Sequence, residues 1–207
     1  MPILMTPRPR VLINGLTQAR VDSQLLAFVV TEQADGLNTL RLQLNNWIQD
    51  DNGPGYAFGD GSWIKFGDGV AIGFGVGAIF QEVFHGPASA FEAEFSGAMP
   101  TFTVLAQRKQ RLFRVSRRKP IQLPSTITLR LGAELYSAKA LGDLAGPVNE
   151  VSGTAEGNPL LHRGVWLTLA GLGVRFSGTY QVTHCCHRFE PQLGYRTDFV
   201  AKPVVAG

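Results

Sequence analysis

The sequence predicts a mainly β protein, for three reasons. Glycine is frequent, with 24 residues in a chain of 207, and phenylalanine outnumbers tyrosine by 13 to 4. Short runs of apolar, β-branched and aromatic residues alternate with turn residues along much of the chain. Charged residues make up only 17% of the chain against 44% apolar residues, which excludes a highly charged disordered chain.

The first half of the chain is predicted to hold seven or eight short strands at barrel or sandwich spacing. The pattern is clearest in residues 37–45, because Leu40, Leu42 and Leu44 alternate there with Thr39, Arg41 and Gln43. Residues 50–61 have the composition of a loop. The other expected strands lie at 10–16, 24–32, 63–66, 70–74, 78–84, 90–96 and 101–105, with turns at Asn14-Gly15, Asp35-Gly36 and Gly67-Asp68-Gly69 and a hairpin at His85-Gly86-Pro87.

Two prolines divide the chain. Pro120 and Pro124 bracket a linker at 120–125, between a first domain at 8–119 and a second domain at 126–207. Before the linker, near-helical spacing predicts a short helix through Leu105, Arg108, Leu112 and Val115. After it, we expect strands at 126–131, 165–169, 178–186 and 195–201, a turn at Gly171-Leu172-Gly173, and one helix at 132–144 packed on the second domain.

A basic segment precedes the linker. Seven cations with no acid among them form it: Arg108, Lys109, Arg111, Arg114, Arg117, Arg118 and Lys119. The net charge of +3 and the pI of 9.1 come from this segment, because the remaining residues carry a small negative net charge. It is either a surface for nucleic acid or an anionic partner, or a solvated connection between domains. Only one aromatic residue, Phe113, is interleaved for base stacking, which favours the second interpretation.

The run His184-Cys185-Cys186-His187 resembles a metal-binding cluster. Side chains alternate faces along a strand, so His184 and Cys186 point one way, and Cys185 and His187 the other. The four cannot surround one tetrahedral ion, although His85 or His162 would complete a site with two of them. The simpler interpretation is a strand with inward thiols, since adjacent cysteines rarely bridge. No basic-then-apolar leader begins the chain, so we expect synthesis in a reducing compartment.

Other motifs do not support an enzyme or a cofactor. Residues 73–78 match a dinucleotide fingerprint, but strand-like sequence follows them instead of a helix. Glu92 and Glu94 share a strand face without any sign of a sugar cleft. The acids Asp50, Asp51, Asp60 and Asp68 match no calcium-loop spacing, and no hydrolase elbow, zinc-protease or phosphate-loop motif occurs. We therefore predict no catalytic residue, no metal and no cofactor.

Four C-terminal motifs occur in a fixed order: G-N-P-x-L at 157–161, G-L-G-x-R-F-S-G-x-Y-x-V-T at 171–183, H-x-F at 187–189 and G-Y-R-T-x-F at 194–199. With them, residues 150–202 resemble the phage late-control protein D family of tail and baseplate hub proteins. That family includes hubs of contractile injection systems and the N-terminal part of type VI secretion spikes. The motif residues are Gly157, Asn158, Pro159, Gly171, Gly173, Phe176, Gly178, Tyr180, His187, Gly194, Tyr195, Arg196 and Phe199.

The resemblance implies two tail-tube-like β-barrels per chain and a trimeric ring that joins a tail tube to a central spike. Its implied partners are two further copies, the spike protein and a tube or tube-initiator protein, with wedge or tape-measure proteins as further candidates. It also implies synthesis in the bacterial cytoplasm and assembly into a phage tail, virion or extracellular particle. Family members are usually longer, so this chain is either a minimal hub or lacks a middle part. No apolar run reaches the roughly 18 residues of a membrane span, and no membrane insertion is expected.

Physical roles follow for the motif residues. The glycines permit turns and close packing, and Phe176, Tyr180, Tyr195 and Phe199 are expected in the core or in strand pairs. Arg196 and Asp198 share a strand face and are expected to pair across the sheet. The loop 50–61 is expected to contact a neighbouring subunit or ring. The alternative function is a β-barrel binding module that uses residues 108–119 to hold nucleic acid or an anionic partner.

Overall fold

A computed structural model describes residues 8–33, 35–50, 53–58, 60–75, 79–95, 99–109, 120–122, 127–130, 150–171, 173 and 177–204. Its composition confirms a mainly β protein. The elements in these ranges are β1 (Arg10–Ile13), β2 (Leu16–Thr17), α1 (Ala19–Gln24), β3 (Leu25–Glu32), β4 (Leu37–Asn45), β5 (Trp47–Asp50), β6 (Gly53–Tyr56), β7 (Gly69–Phe74), β8 (Gln81–Glu94), β9 (Thr101–Lys109), β10 (Ile121–Gln122), β11 (Ile127–Arg130), β12 (Val151–Glu156), β13 (Trp166–Leu169), β14 (Gly178–Glu190) and β15 (Gly194–Pro203).

One large sheet runs through the described parts of both halves of the chain. Its strand order is β11-β12-β15-β14-β3-β4-β9-β8-β7-β1-β2, with β13 beside β14 and β10 beside β13. Within these residues β10 and β13 pair in parallel, and the other pairings are antiparallel. The hairpin of β5 and β6 forms a separate small sheet. The N-terminal half (residues 8–109) and the C-terminal half (residues 120–204) meet where β3 pairs with β14.

The hairpin of β3 and β4 matches the sequence pattern that predicted it. Leu40, Leu42 and Leu44 are at most 1% exposed, whereas Arg41 between them is exposed. The turn uses Gly36 at a φ of +86°, and the Gly36 N–H donates to the Gln33 carbonyl oxygen at 3.0 Å. The leucine face is therefore the inner face of the sheet.

Two groups of buried side chains fill the interior. The first group comes from β1, α1, β3, β4, β7, β8 and β9 and includes Phe28, Leu42 and Ile72. The second group comes from β12–β15 and includes Leu167 and Phe199. Fully burying one such side chain contributes roughly 1.5–3 kcal/mol, so these two groups supply most of the driving force for folding.

Aromatic side chains of the C-terminal half complete the first core. Phe189 on β14 stacks on Phe28 with ring centroids 6.0 Å apart. Tyr195 on β15 lies 4.2 Å from the Phe74 ring and 6.1 Å from the Phe28 ring. The two halves therefore share apolar packing as well as a strand pairing.

The hairpin predicted at His85-Gly86-Pro87 is wrong, because β8 runs without interruption through these residues. The strand changes its partner there: Pro87 pairs with Gly69 of β7, and Ala88 pairs with Ala106 of β9. Gly86 serves close packing between strands, since a Cβ there would lie 3.2 Å from the Gln107 carbonyl oxygen and 3.2 Å from Arg108 Cβ, both on β9.

Two further expectations in this region are corrected. Residues 63–66 do not form a strand, because the side chain and backbone of Asp68 fold them into a turn: the Lys65 N–H donates to Asp68 Oδ2 at 2.7 Å, and the Asp68 N–H donates to the Lys65 carbonyl oxygen. The loop expected at 50–61 contains the second strand of a hairpin, since Trp47–Asp50 pairs with Gly53–Tyr56.

Around the linker, the helix predicted through Leu105 and Arg108 is wrong at its start. Both residues lie in β9, where they pair with Arg41 and Asn38 of β4. Ile121 and Gln122 of the expected linker form β10. The rest of the basic segment (111–119) and the helix expected at 132–144 fall outside the described residues. Among the residues that are described, no helix combines the length and apolar character needed to cross a membrane.

Candidate functional site at the junction of the two halves

A buried polar cluster lies where β14 and β15 approach the N-terminal half. We call it the junction node; it comprises Gly157, Asn158, His187, Tyr195 and Thr197. His187 and Thr197 are cross-strand partners on β14 and β15, and both are at most 1% exposed. His187 Nδ1 lies 2.8 Å from the Tyr195 hydroxyl and 3.2 Å from Thr197 Oγ1. Four of the five residues belong to the motif set predicted from the sequence, which the fold thus brings together.

The hydrogen bonds around His187 fix its proton. We assign the ring proton to Nε2, because the Cys185 thiol 3.5 Å away donates its own proton to the Leu161 carbonyl oxygen; Nδ1 then accepts from the Tyr195 hydroxyl. Cys185 in turn donates to the Leu161 carbonyl oxygen at 3.0 Å. Burial lowers the pKa of His187 from 6.5 to about 4, with a smaller contribution from the charge of His162. The imidazole is therefore neutral near physiological pH.

The segment 157–161 covers the node. A Cβ at Gly157 would lie only 1.9 Å from Cδ1 of the Tyr195 ring, so only glycine fits there. The Gly157 N–H donates to the Tyr195 carbonyl oxygen at 2.9 Å, and the Asn158 N–H donates to Thr197 Oγ1 at 3.1 Å. Asn158 Oδ1 accepts the Leu160 N–H at 2.9 Å, which closes a local turn. The G-N-P motif thus packs directly against the Tyr195 ring.

A second polar contact joins the halves at Glu32, the last residue of β3. Its Oε2 accepts the backbone N–H of Arg163 at 2.7 Å, and the residue is 7% exposed. Burial raises the pKa of Glu32, and the Arg163 hydrogen bond and the charges of His162 and Arg163 oppose that rise. Glu32 therefore anchors the segment between β12 and β13 to the N-terminal half.

A cavity of about 170 Å³ opens beside Glu32. The N-terminal half contributes Glu32, Asn38, Glu82, Val83, Phe84, His85 and Arg108 to its wall, and the C-terminal half contributes Pro159 and His162. The cavity thus lies between the two halves and is lined mostly by polar side chains.

The cysteines and histidines of the run 184–187 face opposite sides, as their alternation predicted. Cys185 and His187 are buried, whereas Cys186 is half-buried with its Sγ 3.9 Å from Thr31 Oγ1. Both thiols are free, and burial raises the pKa of each. Among the described residues, no three His, Cys, Asp or Glu side chains are arranged to hold a metal ion. A protonated thiol beside a neutral buried imidazole lacks the thiolate that nucleophilic chemistry needs.

The other motif residues are distributed along the C-terminal half. Gly171, Gly173 and Gly194 adopt positive φ values of +77°, +79° and +71°. Gly178 begins β14, Tyr180 and Phe199 lie in the second core, and Pro159 lines the cavity. Arg196 is exposed on β15, opposite Arg188 and Glu156 in the neighbouring strands, while Asp198 forms an ion pair with Arg188. Phe176 falls outside the described residues.

Two members of the basic segment can be placed. Arg108 and Lys109 are exposed at the end of β9. Arg111, Arg114, Arg117, Arg118 and Lys119 fall outside the described residues.

The sequence prediction missed Glu32 and Thr197 as junction residues. The signal for Glu32 was present, because it continues the alternate series Phe28 and Val30 that faces the core. An acidic residue at such an inward position requires a polar partner, which here is the Arg163 N–H. Thr197 was part of the G-Y-R-T-x-F motif, but only the pairing of β14 with β15 shows that it faces His187.

No protein-family model and no curated protein matches this chain. Solved structures do. One is the E. coli c3393 protein, a component of the type VI secretion system that exhibits structural similarity to the T4 bacteriophage tail proteins gp27 and gp5. It aligns at a TM-score of 0.62 and 13% identity, over 95% of this chain and 77% of that chain. A tail protein from Neisseria meningitidis MC58 aligns at 0.59 and 6% identity, over 95% and 96% of the two chains. The 43 kDa tail protein of prophage MuSo2 from Shewanella oneidensis aligns at 0.61 and 9% identity, over 95% and 98%. The chain therefore has the fold of these tail and secretion proteins.

Proposed function

We propose that this chain is a structural baseplate hub protein of a contractile tail or injection system and has no enzymatic activity. Three copies form a ring with pseudo-sixfold symmetry, to which each copy contributes two tail-tube-like units, residues 8–119 and 126–207, connected by 120–125. The ring joins the tail tube or a tube-initiator protein to the central spike. The protein is made in the bacterial cytoplasm and works in a phage tail, virion or extracellular particle.

The observation that carries this proposal is the shared fold. Three solved tail or secretion proteins align with 95% of this chain at TM-scores of 0.59–0.62. One of them is described as a type VI secretion component similar to phage tail proteins, which agrees with the C-terminal motifs of the sequence. Fold alone does not assign function, and the junction between the halves is the second feature that supports the proposal.

The junction supports a structural role. A ring built from two units per chain requires a fixed orientation between those units, and here a strand pairing, shared aromatic packing and the buried hydrogen bond from the Arg163 N–H to Glu32 hold the halves together. The motif residues Gly157, Asn158, His187 and Tyr195 meet at this place. The neutral states of Cys185 and His187 suit packing better than catalysis.

The proposal is tested by the native mass of the purified chain, measured by light scattering with and without its candidate spike protein. A ring of three copies gives about 67.5 kDa, three times the 22.5 kDa of one chain. We expect this mass for the chain alone, or this mass plus that of the bound spike protein once the spike protein is added. A mass of one chain under both conditions contradicts the ring.

The binding-module alternative is tested in parallel by replacing the seven basic residues from Arg108 to Lys119 with glutamine. A nucleic-acid-binding module would lose affinity for an oligonucleotide and would show a steep salt dependence before the replacement. A hub shows neither effect, although its assembly can weaken.

A further inference from the structure

The described strands contain one arrangement twice. In the N-terminal half the sheet runs β3-β4-β9-β8-β7, and in the C-terminal half it runs β11-β12-β15-β14-β13. Both series take their strands from the chain in the same succession, and every pairing within them is antiparallel. Strand β8 therefore holds the same place in the first series as β14 in the second, and β3 holds the same place as β11.

Fine details of β8 and β14 agree. Each strand shifts register against the strand that follows it in the chain, and the residue inside the shift is Ser89 in β8 and Thr183 in β14. The Ser89 hydroxyl donates to the Leu105 carbonyl oxygen at 3.1 Å, and the Thr183 hydroxyl donates to the Val200 carbonyl oxygen at 3.2 Å. The same bulge is thus accompanied by the same hydrogen bond in both halves.

The residue before each bulge makes the same backbone contacts. The Ala88 carbonyl oxygen accepts the Gly67 N–H at 2.9 Å, and the Val182 carbonyl oxygen accepts the Gly164 N–H at 2.8 Å. Both glycines have a φ of +86°. The N–H groups of Ala88 and Val182 donate to the carbonyl oxygen of the residue after each glycine, at 2.8 and 2.9 Å. These bonds align β8 with β14 residue by residue.

The aligned residues differ in exposure. Ala93 and Phe95 correspond to His187 and Phe189 on this alignment. The two residues of β14 are at most 8% exposed, and β3 pairs with the strand there. Phe95 is 56% exposed despite a ring contact with Tyr56 at 4.9 Å, and Ala93 is exposed. The N-terminal series is therefore exposed at the positions where β3 covers the C-terminal series.

A second exposed ring lies at the same boundary. Phe66 precedes Gly67 in the chain as Arg163 precedes Gly164, so the two residues correspond. The Arg163 N–H donates to Glu32 of β3 at 2.7 Å, which places this position in contact with β3. Phe66 is 75% exposed. Two phenylalanines thus lie exposed where the matching residues of the C-terminal half contact a neighbouring strand.

The place of β3 in the C-terminal series belongs to β11. On the same alignment, Leu129 of β11 pairs with Gly153 as Phe28 of β3 pairs with Leu42. Strand β3 pairs on its other side with β14. Among the strands that the structure describes, none pairs with the corresponding side of β11, or with Ala90–Glu94 at the edge away from β9. The chain therefore carries the counterparts of both sides of a contact that it makes once within itself.

We propose that β8 of one copy pairs with β11 of a second copy of this chain, in the antiparallel register with which β14 pairs with β3. That register sets Phe95 opposite Leu129 and Glu94 opposite Arg130, which are an apolar pair and a pair of opposite charges. Strand edges supply the backbone hydrogen bonds of such a contact. The two surfaces differ, so the contact closes into a ring or continues as a filament, and closure at three copies rests on the proposed function.

Disulfide crosslinking of the full chain tests this register. Residues directly opposite in an antiparallel pair have Cβ atoms roughly 4.5–5.5 Å apart, whereas a residue two positions away lies roughly 7–8 Å off. The variant E94C/R130C should therefore form linked dimers and trimers on oxidation, about fivefold more than E94C/T128C. The single variants E94C and R130C retain Cys185 and Cys186 and give the background from the native thiols. Each variant is oxidised alone and with the candidate spike protein.

Removal of an exposed ring tests the same contact without cysteines. Phe95→Gln should weaken self-association, followed as native mass against concentration, by roughly tenfold or more. Leu16→Gln, at a leucine on β2 that is 66% exposed, is the matched control and should change it less than about twofold. Unfolding midpoints of both variants must match the parent chain. If Phe95→Gln unfolds, crosslinking still decides the question.

Two results overturn the contact: equal linking by E94C/R130C and E94C/T128C, and no linked species above the single variants in either preparation. If the parent chain then has the mass of three copies, the ring stands and its copies meet elsewhere. If the parent chain has the mass of one copy, the ring fails with the contact. Linked species longer than three copies support the contact and replace the ring by a filament.

Discussion

Lowering the pH from about 7 to about 4 should destabilise this fold through His187. The imidazole is 1% exposed and accepts the Tyr195 hydroxyl proton at Nδ1, and burial lowers its pKa from 6.5 to about 4. A buried base whose folded pKa is lowered takes up its proton in the unfolded chain first. The stability that depends on the neutral ring is therefore complete above about pH 6.5 and is lost as the pH falls toward 4.

The size of the loss follows from the two pKa values. A pKa difference of one unit between the folded and unfolded chains corresponds to about 1.4 kcal/mol. The lowering of the His187 pKa from 6.5 to about 4 therefore corresponds to a loss of about 3 kcal/mol in the free energy of unfolding across that interval. Domains of this kind are stable by roughly 5–15 kcal/mol, so this one residue removes a substantial share. The loss levels off below about pH 4, because the folded protein then takes up the proton as well.

The assay compares urea unfolding of the parent chain and His187→Gln at about pH 7, 5.5 and 4. Glutamine keeps an acceptor for the Tyr195 hydroxyl and a donor toward Cys185 but does not titrate. We expect the variant to be less stable near neutral pH by about 1–2 kcal/mol and to have a flatter pH profile. His85→Gln, at an exposed histidine on β8, is the matched control and should leave the profile unchanged.

The decisive quantity is a difference in the free energy of unfolding between the parent chain and His187→Gln. Its value at about pH 4 is subtracted from its value at neutral pH. Because exposed carboxylates titrate alike in both chains, their contribution cancels in this comparison. A result below about 1 kcal/mol would refute the argument that burial of His187 makes the fold sensitive to acid. The same slope in His85→Gln and His187→Gln would refute it equally.

Three other substitutions test the junction by the same unfolding assay. Gly157→Ala should lower the free energy of unfolding by about 1–3 kcal/mol, because the added Cβ would lie 1.9 Å from the Tyr195 ring. Its control, Gly55→Ala, has no atom within 4 Å of the added Cβ and should lower it by less than about 1 kcal/mol. Equal losses in the two variants would contradict the packing argument. Tyr195→Phe should cost about 1–3 kcal/mol by leaving His187 Nδ1 without its hydroxyl donor, and a cost near zero would contradict that role. Glu32→Gln should remove a loss of stability that the parent chain shows as the pH rises through the raised pKa of Glu32, and identical profiles would show that this burial is not costly.

The regular strands were predictable because their signals are local. In β4 the leucines alternate with polar residues, and Gly36 lies in the turn that connects β3 to β4. The same local rules failed at His85-Gly86-Pro87, where the turn residues serve close contact with β9 and a change of strand partner. They also failed at Leu105 and Arg108, whose helical spacing is overruled by pairing with β4. Pairing between distant strands leaves no signature in the neighbouring residues.

The candidate site was predictable only in part, because its contacts depend on how the strands pair. The motifs named His187 and Tyr195, but their contact depends on the register of β14 against β15, which sequence spacing does not reveal. Glu32 lies 131 residues from its partner Arg163, so its role becomes visible only when β3 meets the C-terminal half. The sequence signal for this role was the position of Glu32 in the inward-facing apolar series of β3.

The polar character of the junction node specifies the register of β14 against β15. A one-residue slip of β14 against β15 turns every side chain to the opposite face, which would expose His187 and bring charged Arg188 to the buried side. An apolar junction would tolerate such slips better, because Val and Leu have no partners to lose. The hydrogen bonds of His187 to Tyr195 and Thr197 form in the observed register only, and Glu32 then fixes the neighbouring segment through Arg163. The ring proposed above needs one set angle between its two units, so a junction with this specificity suits that proposal even where a fully apolar core would be more stable.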